Sequence, residues 1–431
     1  MGIMDKDFSR RGFLTSTLVA AAGVITLTAC GSDSGGGGGD GRLVMTVWGG
    51  EVDKAAYQAR IDALVEAYPE MSVTLQLILS DSYAQKVQTM IAGGSGPDIM
   101  QVAENVNVYS SKNQLLPLDE HIATAKLDLD SRFGPVGSVY SYEDTVYAIP
   151  DRSGAAILYY NKGLFESAGI SAPTADWTWD DMLSAAQELT VPGERWGYAG
   201  AGWWPLWWSF AHQNGGAIID EAGRPTADSD AVVEALQYCG DLVFKHKVVP
   251  STIDYANMGT DMGGDPAFAA GLVAMNTTGF WNVGSLAEQD TVEWDIAPMW
   301  RGKEQAVATF GSGLAISRTA KDPALAFKAI DFLTSDKAQP LVISMKQDVP
   351  ANVEVQQSDA FLSPSWMTDP VNMQAFPESS SFAFKSTFIP QWNEMQQAFT
   401  DGLADFWLGK QEAAPALATI QERLESIIPA K

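Results

Sequence analysis

Short apolar runs alternate with longer amphipathic segments from Leu43 onwards. Leu43 to Trp48 is a near-continuous apolar run that ends at Gly49 and Gly50, which is the pattern of a buried parallel strand. The following segments predict, in order, a helix over 53–67, a strand over 72–79, a helix over 83–92 and a strand over 98–103. This βαβαβ order predicts an α/β fold, because helices of this kind cover both faces of a parallel sheet.

Further helix boundaries are marked by capping residues. Thr178 stands three residues before Asp181, which is the spacing of a capping box. Asp322 precedes Pro323 at the start of another apolar stripe, where proline lacks only an N–H that would have no partner. Near the C-terminus, the segment 412–428 keeps its apolar residues on one helical face. We expect a helix at each of these places.

The N-terminus predicts an exported, lipid-anchored protein. Ser9-Arg10-Arg11-Gly12-Phe13-Leu14 resembles a twin-arginine export signal, and the apolar run after it is shorter than the ~20 residues of a membrane span. Leu27-Thr28-Ala29-Cys30 resembles a bacterial lipobox, which implies that residues 1–29 are removed and Cys30 is diacylated. The alternative is an ordinary secretory signal with a chance cysteine.

The segment after Cys30 is a tether. Residues 30–42 consist mainly of Gly, Ser and Asp, so the segment is expected to behave as a coil that spans on the order of 20 Å. We therefore expect the folded body to lie close to the outer face of the cell membrane, outside the cytoplasm.

Composition restricts the remaining functions. The formal net charge of −26 argues against nucleic-acid binding, which requires a basic surface. Cys239 is the one cysteine besides Cys30, and His121, His212 and His246 lack the spacing of metal ligands. We therefore expect neither a metal nor a cofactor. Without residues 1–29, the chain has a length typical of two domains.

Four tryptophans are clustered at Trp203, Trp204, Trp207 and Trp208. Neighbouring residues on a helix point about 100° apart, so these indoles cannot all face one core, and some must face a cleft or solvent. A sugar site needs exposed aromatic faces for its C–H groups, with carboxylates and amides for its hydroxyls. Two of the four can simply fill core, as we expect for Trp207 or Trp208, which leaves Trp203 and Trp204 as candidate ligand contacts.

Catalytic motifs are poorly represented. Gly93-Gly94-Ser95-Gly96 lacks the Gly-Lys-Ser/Thr of a phosphate-binding loop, and Gly311-Ser312-Gly313 is not the Gly-x-Ser-x-Gly of a nucleophile elbow. A glycosidase needs two carboxylates ~5 to 10 Å apart, and with 53 acidic residues the sequence neither identifies nor excludes such a pair.

Six blocks follow one another along the mature chain: Leu43 to Trp48; Gln88 to Asp98; Val146 to Pro150 with Leu158 to Ile170 and Trp179 to Met182; Phe268 to Met275 with Gly279 to Trp281; Gly311 to Ile316; and Ala326 to Ser335. In this order they resemble the extracellular solute-binding proteins of the sugar-binding family. These are the lipoprotein receptors of ABC importers, to which maltose-binding protein belongs. Each block is a weak signal alone, but six in order behind a lipobox are a strong one.

The resemblance implies a two-lobed α/β clamp of the periplasmic-binding-protein type, in which each lobe is a sheet flanked by helices and a hinge joins the lobes. Because the chain crosses between lobes more than once, both lobes are discontinuous. Residues 43–150 with 309–355 form the N-terminal lobe, and 151–308 with 356–431 form the C-terminal lobe. A ligand would lie between the lobes, and the permease would recognise the closed form.

The ends of the predicted strands supply the first candidate ligand-binding residues. Open α/β sheets bind ligands at the carboxyl ends of their strands, which selects Trp48 and Glu51 after the first strand and Glu104 and Asn105 after the third. In the resemblance, Asn105 and Val106 stand where maltose-binding protein has an Asp-Arg pair. The two charged side chains of that pair are absent here, which puts a maltose-type ligand in doubt.

The family pattern adds further candidates. Trp281 is a stacking platform in the resemblance, and Trp300 is a further candidate for the same cleft. Asp151 and Arg152 follow Pro150 at the crossover, where Arg152 can donate to hydroxyls or to a carboxylate; the alternative for this pair is an interlobe salt bridge. Gly311 and Ser312 either approach the ligand through their backbone or form a plain turn.

Together these observations predict a monomeric, non-catalytic protein that delivers a mono- or oligosaccharide to the permease subunits of an ABC importer. Three alternatives stay open: a receptor for a polyol or a sugar derivative such as a sugar phosphate, a surface-anchored glycan hydrolase, and a structural surface protein. The scarcity of basic residues near the predicted cleft, apart from Arg152, speaks against a phosphate.

Overall fold

The computed structural model describes residues 41–384 and 388–429, which fall within one unit of the chain, residues 38–431. The predictions for the export signal, for Cys30 and for most of the tether therefore lie outside the described residues. Within the described ranges, no helix is both long enough and apolar enough to cross a bilayer.

The strands form two main sheets and one small hairpin. In chain order the strands are β1 Arg42–Trp48, β2 Ser72–Ile78, β3 Ile99–Val102, β4 Ser141–Tyr142, β5 Thr145–Val146, β6 Ala148–Ala155, β7 Ile157–Asn161, β8 Trp196–Ala199, β9 Val273–Thr278, β10 Trp294–Pro298 and β11 Thr309–Ile316. The first sheet has the order β2-β1-β3-β11-β6, the second has the order β10-β7-β9-β8, and β4 pairs with β5.

Helices fill the connections between these strands. Those up to β9 are α1 Glu51–Ala67, α2 Ser80–Ala92, α3 Val106–Ser110, α4 Asp119–Ala125, α5 Leu129–Phe133, α6 Lys162–Ala168, α7 Trp179–Leu189, α8 Trp204–Gln213, α9 Asp230–Phe244, α10 Thr252–Met258 and α11 Asp265–Ala269. Those after β9 are α12 Trp281–Leu286, α13 Pro323–Leu333, α14 Pro340–Ser344, α15 Val353–Gln356, α16 Asp359–Leu362, α17 Ala375–Ser380, α18 Trp392–Gly402, α19 Ala404–Trp407 and α20 Ala413–Ile427. A short 3₁₀ helix, Gly134–Val136, follows α5.

The predicted βαβαβ opening is confirmed, with small shifts at the helix starts. Helix α1 begins at Glu51 instead of residue 53, because Gly50 serves as its N-cap and donates its backbone N–H to Asp53 Oδ2 at 2.9 Å. The capping predictions also hold. Thr178 Oγ1 accepts from Asp181 N at 3.3 Å, and Asp322 Oδ1 accepts from Leu325 N at 3.0 Å.

Both main sheets are covered by helices on both faces, as an α/β fold requires. On the first sheet, alternate residues of β1 pack with α1 and α13 in one core, and Met100 and Val102 of β3 pack with α2 on the other face. On the second sheet, Leu158 of β7 belongs to the core of α7, α8, α9 and α20, and Tyr159 belongs to the core on the opposite face.

The chain passes between the two sheets along neighbouring segments. Strand β6 of the first sheet leads directly into β7 of the second, and β10 of the second leads into β11 of the first. In the register, Gly313 pairs with Val102 at the end of β3, whereas Ser312 pairs with Arg152. The paired ends of β6 and β11 therefore extend beyond the carboxyl end of β3.

A third segment, which contains Asp348 and Val349, runs beside this crossing. Ala156 donates its backbone N–H to Ala308 O at 2.8 Å, and Ser153 donates its backbone N–H to Val349 O at 3.0 Å. The lobe boundaries predicted from the sequence stay a prediction, but these contacts identify the place where the three segments meet.

Candidate ligand-binding site

Several predicted site residues meet beyond the carboxyl ends of β1 and β3. Glu104 after β3, Arg152 on β6 and Gly311 on β11 line one small cavity, whose wall also includes Tyr140 and Phe388. The cavity measures about 20 Å³, enough for about one water molecule. A sugar would therefore require the surrounding segments to move apart.

Arg152 is the centre of a buried hydrogen-bond network beside this cavity. Only 7% of the residue is exposed. Its Nη1 donates to Asp53 Oδ1 at 3.0 Å and lies 3.5 Å from Asp348 Oδ2, while its Nε donates to Ser312 Oγ at 3.2 Å. These bonds fix the guanidinium between the start of α1, strand β11 and the third crossing segment.

The network continues to the end of β1. Gln101 Nε2 donates to Ser312 Oγ at 2.8 Å, and Gln101 Oε1 accepts from the backbone N–H of Trp48 at 3.1 Å. The Trp48 ring centroid lies 5.8 Å from the Arg152 guanidinium carbon, within the range of a cation–π contact. The structure thus brings together Trp48, Arg152 and Ser312 of the predicted site.

Asp151, which was predicted to contact the ligand, lies instead in the core. Its side chain is fully buried: Oδ1 accepts from Arg60 Nη1 at 2.7 Å, and Oδ2 accepts from the Tyr57 hydroxyl at 2.6 Å. Burial together with the Asp151 charge raises the pKa of Tyr57 well above its ordinary value. Along β6 successive side chains point to opposite faces, so Asp151 enters the core while its neighbour Arg152 faces the cavity. The sequence gives no sign of the partner Arg60.

Asp53 and Asp348 belong to the network but were missed in the sequence. Both lie far from Arg152 along the chain, so no local sequence motif pairs them with it. Burial raises the pKa of Asp348 to about 6, although the Arg152 guanidinium acts in the opposite direction. The charge of Arg152 is therefore shared between two carboxylates.

An aromatic cluster joins a side chain of the first sheet to two side chains at the starts of helices α8 and α12, which follow strands of the second sheet. The Trp203 ring stacks on the Phe310 ring with centroids 5.1 Å apart, and the Trp281 ring meets both edge-on, at 5.9 Å from Trp203 and 5.1 Å from Phe310. Phe310 lies on β11, one residue before Gly311, and was missed because a single phenylalanine in an apolar strand looks like core.

Trp281 is the most open member of this cluster, with 42% of its surface exposed. Its indole Nε1 donates to Asp265 Oδ2 at 2.8 Å, and the same carboxylate accepts from Asn276 and Thr278. A Cβ atom at Gly279 would lie 2.0 Å from the Trp281 ring, so the ring packs directly against the backbone there. The Gly-Phe-Trp sequence is the local signal that fixes this geometry.

Two other predicted tryptophans are placed elsewhere. Trp300 is 1% exposed and packs between Tyr198 and Phe210, with ring centroids 5.2 and 5.8 Å away, so it belongs to the core and its prediction as a cleft residue is wrong. Trp204 is half-buried and meets Trp208 and Trp392 edge-on. Trp207 and Trp208 are both buried, as expected for core residues.

The remaining candidates take different positions around the strand ends. The Glu51 side chain is 87% exposed on the first turn of α1 and lies 3.5 Å from Lys54 Nζ. Asn105 is the residue before α3, and its Oδ1 accepts from Ala103 N at 3.2 Å. Glu104 lines the cavity, and burial raises the pKa of its carboxyl above the ordinary value.

The chain belongs to the bacterial extracellular solute-binding proteins. The model of this family matches residues 48–340, which is more than half of the chain and runs from the last residue of β1 to the first residue of α14. The resemblance that the sequence blocks indicated is thereby confirmed.

Two curated relatives bind different small molecules. The arabinooligosaccharide-binding protein of Halalkalibacterium halodurans is 26% identical over 205 residues, covering 44% of this chain and 41% of that protein. The sn-glycerol-3-phosphate-binding periplasmic protein of Escherichia coli is 29% identical over 224 residues, covering 46% of this chain and 50% of that protein. The chain thus spans about half the length or less of these relatives.

A solved structure matches over a larger part. An ABC substrate-binding protein from Listeria monocytogenes, in complex with cycloalternan, has a TM-score of 0.80 and 25% identity, over 89% of this chain and 98% of that one. The two-lobed α/β fold predicted from the sequence is confirmed by this likeness.

Proposed function

We propose that this protein captures a carbohydrate in the cleft between its two sheets and delivers it to an ABC importer, without changing it chemically. The observation that carries the proposal is the cluster of Trp203, Phe310 and Trp281. Aromatic rings at such a place offer faces for the C–H groups of a sugar, and Asp265, Glu104 and Arg152 offer acceptors and donors for its hydroxyls.

The comparisons support the ligand class. A relative is described as binding an arabinooligosaccharide, and the Listeria structure contains cycloalternan. The second relative is described as binding sn-glycerol 3-phosphate, so the family match alone does not select a sugar. The aromatic cluster favours the sugar, because a glycerol phosphate has little apolar surface to stack on two indoles.

We further propose that ligand binding moves the two lobes about the segments that meet near Arg152, Ala308 and Val349. The small volume of the cavity supports this proposal, since a sugar does not fit without such a movement. The proposed lobes are 43–150 with 309–355 and 151–308 with 356–431. Anchoring through a diacylated Cys30 would keep this body near the permease, and the binding unit is proposed to be a monomer.

A thermal-shift screen with reducing-end detection tests the proposal. The full-length protein is incubated with arabinotriose, maltotriose and cyclic glucans, and both its melting temperature and the release of new reducing ends are measured. We expect a higher melting temperature with at least one sugar and no new reducing ends, because a ligand that binds only the folded state stabilises it. New reducing ends would favour a glycan hydrolase, and no shift with any sugar would contradict carbohydrate capture.

A further inference from the structure

The positive charge of Arg152, beside the small cavity, is already paired with carboxylates. Of the described residues that line the small cavity, Arg152 is the one with a positive charge. Its Nη1 contacts both Asp53 and Asp348, at 3.0 and 3.5 Å, and both carboxylates are more than three-quarters buried. Two carboxylates therefore oppose one guanidinium, so the Arg152 charge is more than balanced before any ligand arrives.

The next buried ion pair adds no positive charge to the cleft. Arg60 Nη1 lies 2.7 Å from Asp151 Oδ1, and neither side chain reaches the surface. The charges of this pair cancel each other. The local field at the cavity is thus set by the groups that remain, which are the second carboxylate on Arg152 and Glu104.

Glu104 has no cationic partner among residues 41–384 and 388–429. The group that favours its ionised form is its own backbone N–H, whereas burial acts against ionisation and raises its pKa. Its charge also contributes to raising the pKa of Tyr140, after the larger effect of burial, which places the carboxylate close to the cavity wall. A third carboxylate, Asp265, holds the Trp281 indole on the other side of the aromatic cluster.

From this arrangement we infer that the cleft selects uncharged carbohydrates and excludes anionic ones, and that Glu104 is the residue that sets this selectivity. This inference rests on the proposed function, since it names the ligand class of the same site. An ionised carboxylate only accepts hydrogen bonds, so it suits a sugar hydroxyl, which donates one. A phosphate or a uronate presents no such donor at its charged group and meets a like charge in a poorly solvated place.

The test compares neutral sugars with matched acids. Arabinotriose and maltotriose are each paired with the derivative in which one terminal hydroxymethyl group is oxidised to a carboxylate, and sn-glycerol 3-phosphate is included. Dissociation constants are measured by calorimetry with the full-length protein. We expect at least about a tenfold weaker binding of each acid than of its neutral parent, because like charges placed together are strongly unfavourable.

Glu104→Gln keeps the shape of the side chain and removes its charge. We expect this variant to reduce the difference between the dissociation constants of the acid and of its neutral parent to about threefold or less, through tighter binding of the acid. Glu66→Gln is the matched control: Glu66 is exposed on α1, so the same loss of one charge should leave this difference unchanged. Melting temperatures of both variants show whether they are folded.

A measurement on the unaltered protein supports the variants. Raising the salt from about 0.02 to about 0.5 M should strengthen the binding of the acid relative to its neutral parent, since salt screens the repulsion. Acids that bind as tightly as neutral sugars, or tight binding of sn-glycerol 3-phosphate, would overturn the inference and leave carbohydrate capture standing. A folded Glu104→Gln variant that keeps the full difference would overturn the role of Glu104. If no sugar of either kind binds, the proposed function itself fails.

Discussion

Arg152 Nη1 lies 3.0 Å from Asp53 Oδ1, so that a side chain of the crossing strand β6 is bonded to the first turn of α1. The same carboxylate accepts from Gln347 Nε2 at 3.2 Å, next to Asp348. Through this one aspartate, the start of the first helix is bound to two of the segments that pass near the cavity. Predictions about stability and about binding follow from this relationship and from the aromatic cluster.

Asp53→Asn should destabilise the protein modestly. The variant leaves Arg152 with Asp348 as its remaining carboxylate, so we expect a loss of about 1 to 3 kcal/mol in the free energy of unfolding. Urea unfolding followed by tryptophan fluorescence measures it, with the exposed Glu66→Gln on the same helix as the control. A loss as small as that of the control would show that the Arg152–Asp53 contact does not contribute to stability.

Asp151→Asn should be more damaging. Asp151 and Arg60 are both fully buried, and removal of one partner leaves the other charge without compensation, which costs about 3 to 5 kcal/mol. The double variant Arg60→Met with Asp151→Leu should recover a large part of this loss, because it removes both charges. Equal instability of the single and double variants in urea unfolding would contradict the importance of the pairing.

Asp348 should make stability depend on pH. Its pKa is raised in the folded state to about 6, above the ~3.9 of an unperturbed Asp, so the folded protein binds this proton more tightly than the unfolded chain. This contribution is fully present below about pH 4 and is lost as the pH rises through about 6. Asp348→Asn removes the titration. We expect the variant to gain roughly 2 kcal/mol relative to the unaltered protein between pH 4 and pH 7, measured by urea unfolding at each pH. If the difference in the free energy of unfolding between the variant and the unaltered protein stays constant across this pH range, the pKa of Asp348 is not raised in the folded state.

The anchor is tested at the N-terminus. Cys30→Ser removes the thiol that the lipobox interpretation assigns to lipid, so we expect the protein to leave the membrane fraction and appear in the soluble extracytoplasmic fraction. Arg10→Lys combined with Arg11→Lys tests the twin-arginine signal separately, through loss of export. Membrane retention of the Cys30→Ser variant would contradict lipid anchoring.

The elements that depend on local sequence could be predicted. Strand β1 follows from a single apolar run, and Thr178 and Asp322 mark helix starts because their side chains bond backbone groups three residues away. Trp281 and Gly311 became candidates through the family pattern, which preserves the order of such blocks. The sequence thus predicted the fold class, while its ligand-binding residues stay predictions.

The partners of Arg152 could not be predicted in this way. Asp53 and Asp348 are separated from it by about a hundred and about two hundred residues, and only the folded chain brings the three together. Asp151 and Trp300 were assigned to the cleft because of their neighbours along the chain. In the fold, Asp151 enters the core and bonds Arg60, and Trp300 packs against Tyr198. Adjacency along the chain does not determine which side of a strand or helix faces the ligand.

Calorimetric titration of the unaltered protein and of Trp281→Ala is the most direct test of carbohydrate capture at the aromatic cluster. The ligand is the sugar that gives the largest thermal shift, and Trp177→Ala, which removes an indole outside the cluster, is the control. We predict one sugar per chain, with binding weakened by about 1 to 3 kcal/mol in Trp281→Ala and little changed in the control. Absence of binding heat for every sugar, or equal affinity of a folded Trp281→Ala variant, would contradict the account.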